Sequence, residues 1–165
     1  MSAPSIEDIR ARISYNPDSG EFIRLVSSGG SLAGSAIRPK ASKNGYVYVP
    51  VLGLKILAHR VAWALSHGEW PPHDIDHIDG VRSNNRLGNL RPATRGENMQ
   101  NERRARASNK SCGLLGVSWS KATNRWSAGI KVGGKKRHLG LFDCPKQAHE
   151  AYIQAKRELH PYSTI

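Results

Sequence analysis

The segment from Asp74 to Asn101 concentrates side chains that could carry out hydrolytic chemistry. It reads DIDHIDGVRSNNRLGNLRPATRGENMQN and combines one histidine with several acids and side-chain amides. Hydrolysis of a phosphodiester needs a deprotonated water, in-line geometry and a cation that neutralises charge on the leaving oxygen. A neutral histidine is the usual base near neutral pH, and Mg²⁺ often takes only one or two oxygen ligands from the protein. The segment therefore supplies the groups of a minimal nuclease site.

The order of these residues suits a hairpin followed by a helix. Asp76 and His77 are adjacent, so their side chains point to opposite faces if the segment is extended. The stretch LRPAT can return as a second short strand after the turn GVRSNNRLGN. Thr94 and Glu97 fit a capping box at a helix start, and Asn98 follows within the first turns. We therefore expect Asp76, His77 and Asn98 to meet at one point.

The motifs DIDHIDG, RLGNLRPAT and EN resemble the HNH endonucleases with a ββα-metal core, particularly the phage and intron-encoded homing branch. Asn89 and Asn98 follow His77 by twelve and twenty-one residues, which fits that branch, and AHRVAWALSHGEWPP is similar to its lead-in. The resemblance covers about residues 15–101. It implies His77 as the general base, and Asp76 and Asn98 as metal ligands. It also implies that Asn89 holds the His77 region through hydrogen bonds and polarises the site, so that Asn89 is counted with His77 as catalytic.

Other polar residues of this region have plainer interpretations. The remaining side-chain amides are expected to form turns or to contact phosphate: Asn84, Asn85 and Asn101. Asp79, before a glycine, is expected to shape the turn, and His59 to be a packed or capping residue at a helix start. Arg60 beside it is predicted to reach a DNA phosphate. A turn role for Asn89 and a helix-surface role for Asn98 remain open alternatives.

Charge and composition limit the partners of the chain. Its 25 Lys and Arg against 13 Asp and Glu give a net charge of +12, which points to a polyanion, with nucleic acid first and a generically basic protein as the alternative. No apolar run is long enough to span a membrane, and the N-terminus has no signal-peptide pattern. Two cysteines predict neither a disulfide framework nor an all-cysteine zinc site. We expect a cytoplasmic protein of a bacterial or phage-infected cell, with no membrane partner and no small-molecule cofactor.

The predicted architecture is α+β. It has a ββα-metal nuclease core preceded by a small β-rich segment and followed by a three-stranded antiparallel sheet packed on one helix. The predicted parts are a β-rich segment and helix (1–68), the core (69–101), a basic linker (102–112) and a DNA-binding domain (113–165). In the first part a hairpin should pair Tyr46–Val51 with Leu54–Leu57 around Gly53, and a helix should end at Gly68.

Alternation predicts the sheet of the last part. Trp126, Ala128, Ile130 and Val132 alternate with small, polar or basic residues, which is typical of a strand with one apolar face. The stretch VGGKK predicts a turn into a third strand, 137–142, and the residues from Pro145 onward predict a helix with one apolar stripe. The face away from this helix is predicted to be open and basic, and a basic sheet face can enter a major groove.

This last part resembles the Apetala-type (ethylene-response-factor) DNA-binding domain through GVSW, RWSAGI, HLGLF and AHEAYIQA, over about residues 113–159. The family reads DNA with its sheet, and the linker arginines are predicted to bind phosphate. The predicted DNA contacts, besides Arg60, are Arg103, Arg104, Ser118, Ser120, Arg125, Ser127, Lys131, Lys136 and His138. Several arginine and tryptophan positions of the plant pattern are serine, glycine or histidine here, so base specificity does not carry over.

These features together predict a homing-type endonuclease that depends on Mg²⁺, or on Mn²⁺, and hydrolyses double-stranded DNA. One active site per chain and the absence of a heptad repeat favour a monomer that nicks. Two alternatives remain. The chain could be a DNA-binding regulator with an inactive nuclease core, or a basic structural protein such as an RNA-associated factor.

Overall fold

The chain folds into two units of mixed helices and short antiparallel strands, which confirms the α+β class. A computed structural model describes residues 3–38, 40–105, 109 and 111–165. The first unit spans Met1–Ala93 and the second spans Thr94–Ile165. Part of the predicted linker, 106–108 and 110, lies outside the described residues, and the division into four parts stays a prediction. Within the described ranges, no helix is both long and apolar enough to cross a membrane.

The first unit contains three small sheets around one long helix. Its elements are α1 (Ile6–Arg10), β1 (Ile13–Tyr15), β2 (Phe22–Arg24), β3 (Ala36–Ile37), β4 (Tyr48–Val51), β5 (Leu54–Leu57), α2 (Ala58–His67), β6 (Asp74–His77) and β7 (Leu90–Ala93). Strands β1, β2 and β3 form one antiparallel sheet, and β4–β5 and β6–β7 are two hairpins. A single 3-10 turn, Leu87–Asn89, precedes β7.

The predicted hairpin and helix of this unit are confirmed. In β4, Val49 and Val51 point into the core and alternate with exposed residues, as a half-buried strand requires. The turn residues Leu52 and Gly53 both have positive φ, 53° and 73°. Two-residue hairpin turns require positive φ at both positions, because their backbone twist then matches the twist of the flanking strands. Helix α2 ends at Gly68, whose φ of 78° gives a left-handed cap.

A single apolar core joins the three sheets of the first unit to α2. Val61 and Ala62 on α2 are fully buried, and Ile75 and Leu90 bring the β6–β7 hairpin into the same cluster. Burial of a side chain of this size stabilises the fold by about 1.5–3 kcal/mol. The β6–β7 hairpin is too short to be stable in isolation. Its geometry is therefore set by α2 and the neighbouring sheets.

The second unit is the predicted three-stranded sheet with one helix against it, preceded by a short helix. Its elements are α3 (Arg95–Gln100), β8 (Val117–Ser120), β9 (Arg125–Val132), β10 (Lys135–Phe142) and α4 (Pro145–Leu159). The antiparallel order is β10-β9-β8. Val117 and Ala128 from the sheet and Ala148 from α4 form the centre of the core, with Trp126 packed beside them. The predicted apolar face of β9 is thus confirmed.

Candidate functional site

The β6–β7 hairpin places Asp76 and His77 on opposite faces, as predicted. Asp76 lies directly across from Arg91, and His77 lies across from Leu90. Adjacent residues of a strand point to opposite sides, whereas direct cross-strand partners share a side. Asp76 is 5% exposed and His77 is 4% exposed. The hairpin therefore buries an acid on one side and an imidazole on the other.

Arg91 compensates the buried carboxylate of Asp76. Its Nε and Nη2 atoms both donate to Oδ2 of Asp76, at 3.0 and 2.8 Å. A buried carboxylate needs such a charged donor, because removal from water disfavours an unpaired ion by several kcal/mol. The register of the hairpin provides that donor, so the Asp76 carboxylate is fixed in place.

His77 faces Asn85, which belongs to the loop between the two strands. The Nε2 atom of His77 lies 3.4 Å from Oδ1 of Asn85, and Nδ2 of Asn85 donates to the carbonyl of Ser83 at 3.0 Å. The Ser83 bond orients the amide so that its acceptor oxygen faces the imidazole. A proton on Nε2 fits this contact, and that tautomer leaves a lone pair on Nδ1.

Burial also determines the charge of His77. Desolvation lowers its pKa below the usual 6.5, against the opposite effect of the Asn85 contact and of the Asp79 and Asp76 carboxylates. The imidazole is therefore neutral at neutral pH, which is the form that can accept a proton.

A second histidine, His59 at the start of α2, packs against His77. The two rings meet edge to face with centroids 5.1 Å apart, and the Tyr46 ring lies 5.5 Å from His59. Burial is the main cause that lowers the pKa of His59 to about 3, and repulsion by His77 in its protonated form and by Arg60 adds to it. We expected a packed or capping residue with its hydrogen bonds made. It is packed, but among the described residues its buried Nδ1 has no hydrogen-bond partner, and its ring neighbours are Tyr46 and His77.

Asn89 organises the loop that leaves β6. Its Oδ1 accepts from the backbone N–H of Asp79 at 3.0 Å, and its Nδ2 donates to Oδ1 of Asp79 and to the carbonyl of Asn84 at 3.0 and 2.9 Å. Asp79 also accepts from the N–H of Val81 at 2.7 Å, which is the turn role expected of it. These bonds support the holding role of Asn89, while its catalytic role stays a prediction.

The N-terminal strands anchor the same loop, which sequence reasoning missed. The Tyr15 hydroxyl donates to the carbonyl of Asn85 at 2.7 Å, and the N–H of Leu87 donates to the carbonyl of Pro17 at 2.9 Å. Gly20 approaches so closely that a Cβ there would lie 2.8 Å from the backbone nitrogen of Arg86. The loop that holds Asn85 beside His77 is therefore fixed from outside the hairpin.

Asn98 lies on α3, in the second unit. The predicted capping box is present, with Thr94 accepting from the N–H of Glu97 at 3.3 Å and the Glu97 carboxylate accepting from the N–H of Thr94 at 2.7 Å. The end of α3 contacts the segment 160–165, where Thr164 donates to Oδ1 of Asn101 at 2.8 Å. Asn101, expected in a turn or on phosphate, is buried. The role of Asn98 as a metal ligand stays a prediction.

The donor chemistry limits which metal ion fits. Among the described residues, no group of three or more His, Cys, Asp or Glu could hold a metal ion. Asp76 offers a hard carboxylate oxygen, and an asparagine amide offers another hard oxygen. Mg²⁺ accepts so few protein ligands because it keeps several waters, whereas Zn²⁺ prefers nitrogen and sulfur ligands. The residue types therefore fit a sparsely ligated Mg²⁺ or Mn²⁺.

Some of the predicted DNA-contacting side chains form contacts within the protein, and others face solvent. Arg125 pairs with Asp143 at 2.9 Å, Arg103 donates to Thr164, and Arg60 is half-buried with Nη2 3.5 Å from the carbonyl of Pro71. On the sheet, Ser120 accepts from Thr123 at 2.9 Å, and Ser127 lies 3.3 Å from the His138 ring. The exposed members are Arg103, Arg104, Ser118, Lys131, Lys136 and His138, of which Arg103 and His138 also make the contacts just given. DNA binding by any of them stays a prediction.

Comparisons with known proteins connect this geometry to a family. Residues 57–100 match the sequence family described as HNH endonuclease. Protein 3.8 of Escherichia phage T7 is 37% identical over 103 residues, which is 62% of this chain and 83% of that protein. Among solved structures, one described as DNA binding and cleavage by the HNH homing endonuclease I-HmuI is similar to this chain. The superposition covers 96% of this chain and 87% of the other chain, with 21% sequence identity and a TM-score of 0.46.

The HNH match begins at the end of β5 and closes with α3, so it includes His59, Asp76, His77, Asn89 and Asn98. It ends before the second sheet, so the Apetala-type identity of residues 113–165 stays a prediction. The chain belongs to the same family as Protein 3.8 of Escherichia phage T7, and it carries an HNH endonuclease domain over residues 57–100.

Proposed function

We propose that this chain is a metal-dependent endonuclease that hydrolyses phosphodiester bonds in double-stranded DNA. The observation that carries the proposal is the buried, neutral imidazole of His77 next to the carboxylate of Asp76 within the HNH segment. A histidine kept neutral by burial is suited to accept a proton from water. The sequence resemblance to the homing branch supports the same function.

The first step in this mechanism is proton transfer to His77. Its Nδ1 accepts a proton from the attacking water, while Asn85 at Nε2 and the ring of His59 hold the imidazole in orientation. Positioning of a base in this way contributes about 10²–10⁴-fold to rate. The new positive charge on His77 is stabilised by Asp79 and Asp76, the carboxylates that already favour the charged form.

Asp76 is the proposed metal ligand on β6, with Asn98 as the second ligand implied by the resemblance. When bound, the ion supplies positive charge that stabilises the developing charge on phosphate and leaving oxygen. Arg91 keeps the Asp76 carboxylate in one orientation through its two hydrogen bonds. Asn89 keeps the loop after His77 in place through Asp79.

Charge supports duplex DNA as the substrate. The net charge is +12, and the sheet of the second unit exposes Lys131 and Lys136 on the face away from α4. Phosphate neutralisation by such side chains releases counterions and drives binding. In this proposal the sheet face and the linker arginines bind the duplex, and the HNH segment cleaves it.

A nicking assay on supercoiled plasmid tests the proposal. We expect cleavage with Mg²⁺ or Mn²⁺, none in EDTA, and at least a 100-fold loss in Asp76→Asn, since this change removes a ligand charge. Asp74→Asn is the matched control, because Asp74 is exposed on the same strand, and it should cleave normally. Cleavage in EDTA would contradict the metal requirement. Duplex binding without cleavage under any cation would favour the DNA-binding regulator with an inactive core.

A further inference from the structure

We propose that a basic cleft in the first unit, on the opposite end of the β4–β5 hairpin from the histidines, binds backbone phosphates of the duplex. This inference rests on the proposed function, because it takes duplex DNA as the substrate. It adds a contact surface that is separate from the second-unit sheet and from the HNH residues. We call it the hairpin cleft, and its basic members are Arg12, Arg24 and Lys55.

The hairpin cleft lies between the β1–β2 strands and the turn of the β4–β5 hairpin. Its volume is about 300 Å³. Arg12 and Arg24 line the cleft from the β1–β2 side, and Lys55 projects from β5 across from Pro50. Cations on two separate elements thus line one concave surface.

Within the part of the chain that the structure describes, no acidic side chain pairs with any of these three cations. No Asp or Glu lines the cleft. The side chains of Arg12, Arg24 and Lys55 make no hydrogen bond or ion pair with any other described residue. By contrast, Arg10 and Arg82 of the same unit donate to backbone carbonyls. Like charges held close together repel, and an anion between them removes that repulsion. The cleft therefore favours a ligand with several negative charges.

Exposed apolar side chains at the rim distinguish a nucleic-acid backbone from a free anion. Leu52 and Leu54 beside the turn are 41% and 38% exposed, and Val26 on the other wall is 39% exposed. Isolated exposed apolar residues are ordinary, but these lie together around the cations. A duplex backbone alternates charged phosphates with deoxyribose carbons, so it matches a surface of this mixed character better than inorganic phosphate does.

The β4–β5 hairpin connects the cleft to His59, which packs against the proposed base His77. Lys55 lies four positions before His59 in the chain, on β5, and His59 lies at the start of α2. An extended chain rises about 3.3 Å per residue, so this is roughly 13 Å at most. One strand of a duplex advances about 3.4 Å per nucleotide. Phosphates in the cleft would therefore be only a few base pairs from the bond being cleaved.

Salt-dependent DNA binding tests the hairpin cleft. The full chain and the triple variant Arg12→Gln, Arg24→Gln and Lys55→Gln are titrated with a 30-base-pair duplex in EDTA between 50 and 300 mM KCl. Each phosphate contact adds about 0.9 to the slope of log affinity against log salt. We expect the triple variant to lower the slope by about 2 to 3 and to weaken affinity at 100 mM salt by at least tenfold. Hydroxyl-radical footprints should shorten by a few base pairs at one end.

Controls make the result specific. Lys146→Gln removes one exposed lysine from α4 in the second unit and should leave the slope unchanged. Lys55→Gln alone, at an exposed strand position, should lower the slope by about 1, and it keeps the test valid if the triple variant fails to fold. An unchanged slope and footprint in folded variants would overturn the proposal. A lower slope in a chain that never cleaves DNA would overturn the proposed activity and leave the hairpin cleft standing.

Discussion

His59 makes the stability of the first unit depend on pH. Its ring is 5% exposed, and burial with the neighbouring His77 and Arg60 charges lowers its pKa to about 3, whereas an unfolded histidine titrates near 6.5. Between these two values the unfolded chain binds one more proton at His59 than the folded chain does. The contribution of His59 to the free energy of unfolding is therefore fully present well above pH 6.5 and decreases as the pH falls below it.

The size of the effect follows from the two pKa values. Each pH unit inside the window corresponds to about 1.4 kcal/mol, so acidification from pH 6.5 to 5.0 should remove about 2 kcal/mol. That is a large part of the total stability of a small unit, which is often only about 5–15 kcal/mol. His77, whose pKa is also lowered, contributes in the same direction.

Urea unfolding at pH 7.5, 6.5, 5.5 and 5.0 measures this dependence. Trp63 and Trp70 report on the first unit if Trp119→Phe and Trp126→Phe are introduced throughout as a common background. In His59→Phe the ring cannot titrate, so the loss between pH 6.5 and 5.0 should shrink by about 2 kcal/mol. The control His73→Gln removes an exposed histidine and should leave the loss unchanged. Equal pH dependence of His59→Phe and its parent would refute the argument.

Three further substitutions test close packing contacts and one hydrogen bond within the two units. Gly116→Ala should lower the free energy of unfolding of the second unit by about 3 kcal/mol in urea titrations, because φ is +75° and a Cβ would lie 2.0 Å from the Tyr152 ring; wild-type stability would count against this packing. Gly20→Ala should reduce plasmid cleavage at least tenfold at saturating DNA with unchanged DNA affinity, because its Cβ would displace the backbone at Arg86. Full activity would show that the loop does not depend on this approach. Thr164→Val should increase hydrogen exchange of the α3 amides, consistent with loss of about 1 kcal/mol, and an unchanged pattern would mean that the contact does not hold α3.

Local sequence patterns were enough to predict the elements that carry the site. The hairpin around Gly53, the β6–β7 pair and the capping box at Thr94 each depend on residues close together in the chain, and each is present. The alternation in β9 likewise predicted which face is buried. These signals work because turn geometry, strand periodicity and helix capping are set by neighbouring residues.

The surroundings of His77 could not be predicted in this way. Tyr15 and Asn85 are 70 residues apart in the chain, and their hydrogen bond depends on how the N-terminal strands pack. The contact between the His59 and His77 rings likewise depends on tertiary packing. The position of His59 at the start of a helix that follows a hairpin was only a weak indication of this contact. Arg125, predicted to contact DNA, forms a salt bridge with Asp143 that no local pattern indicated.

The central claim is that His77 is the base of a metal-dependent nuclease. Single-turnover cleavage of a DNA duplex with excess protein and Mg²⁺ tests it most directly, because it separates the chemical step from product release. We predict that His77→Ala binds the duplex with unchanged affinity and cleaves it at least 100-fold more slowly than the parent chain. Cleavage by His77→Ala at the parental rate, or no cleavage by the parent chain under any divalent cation, would contradict the account.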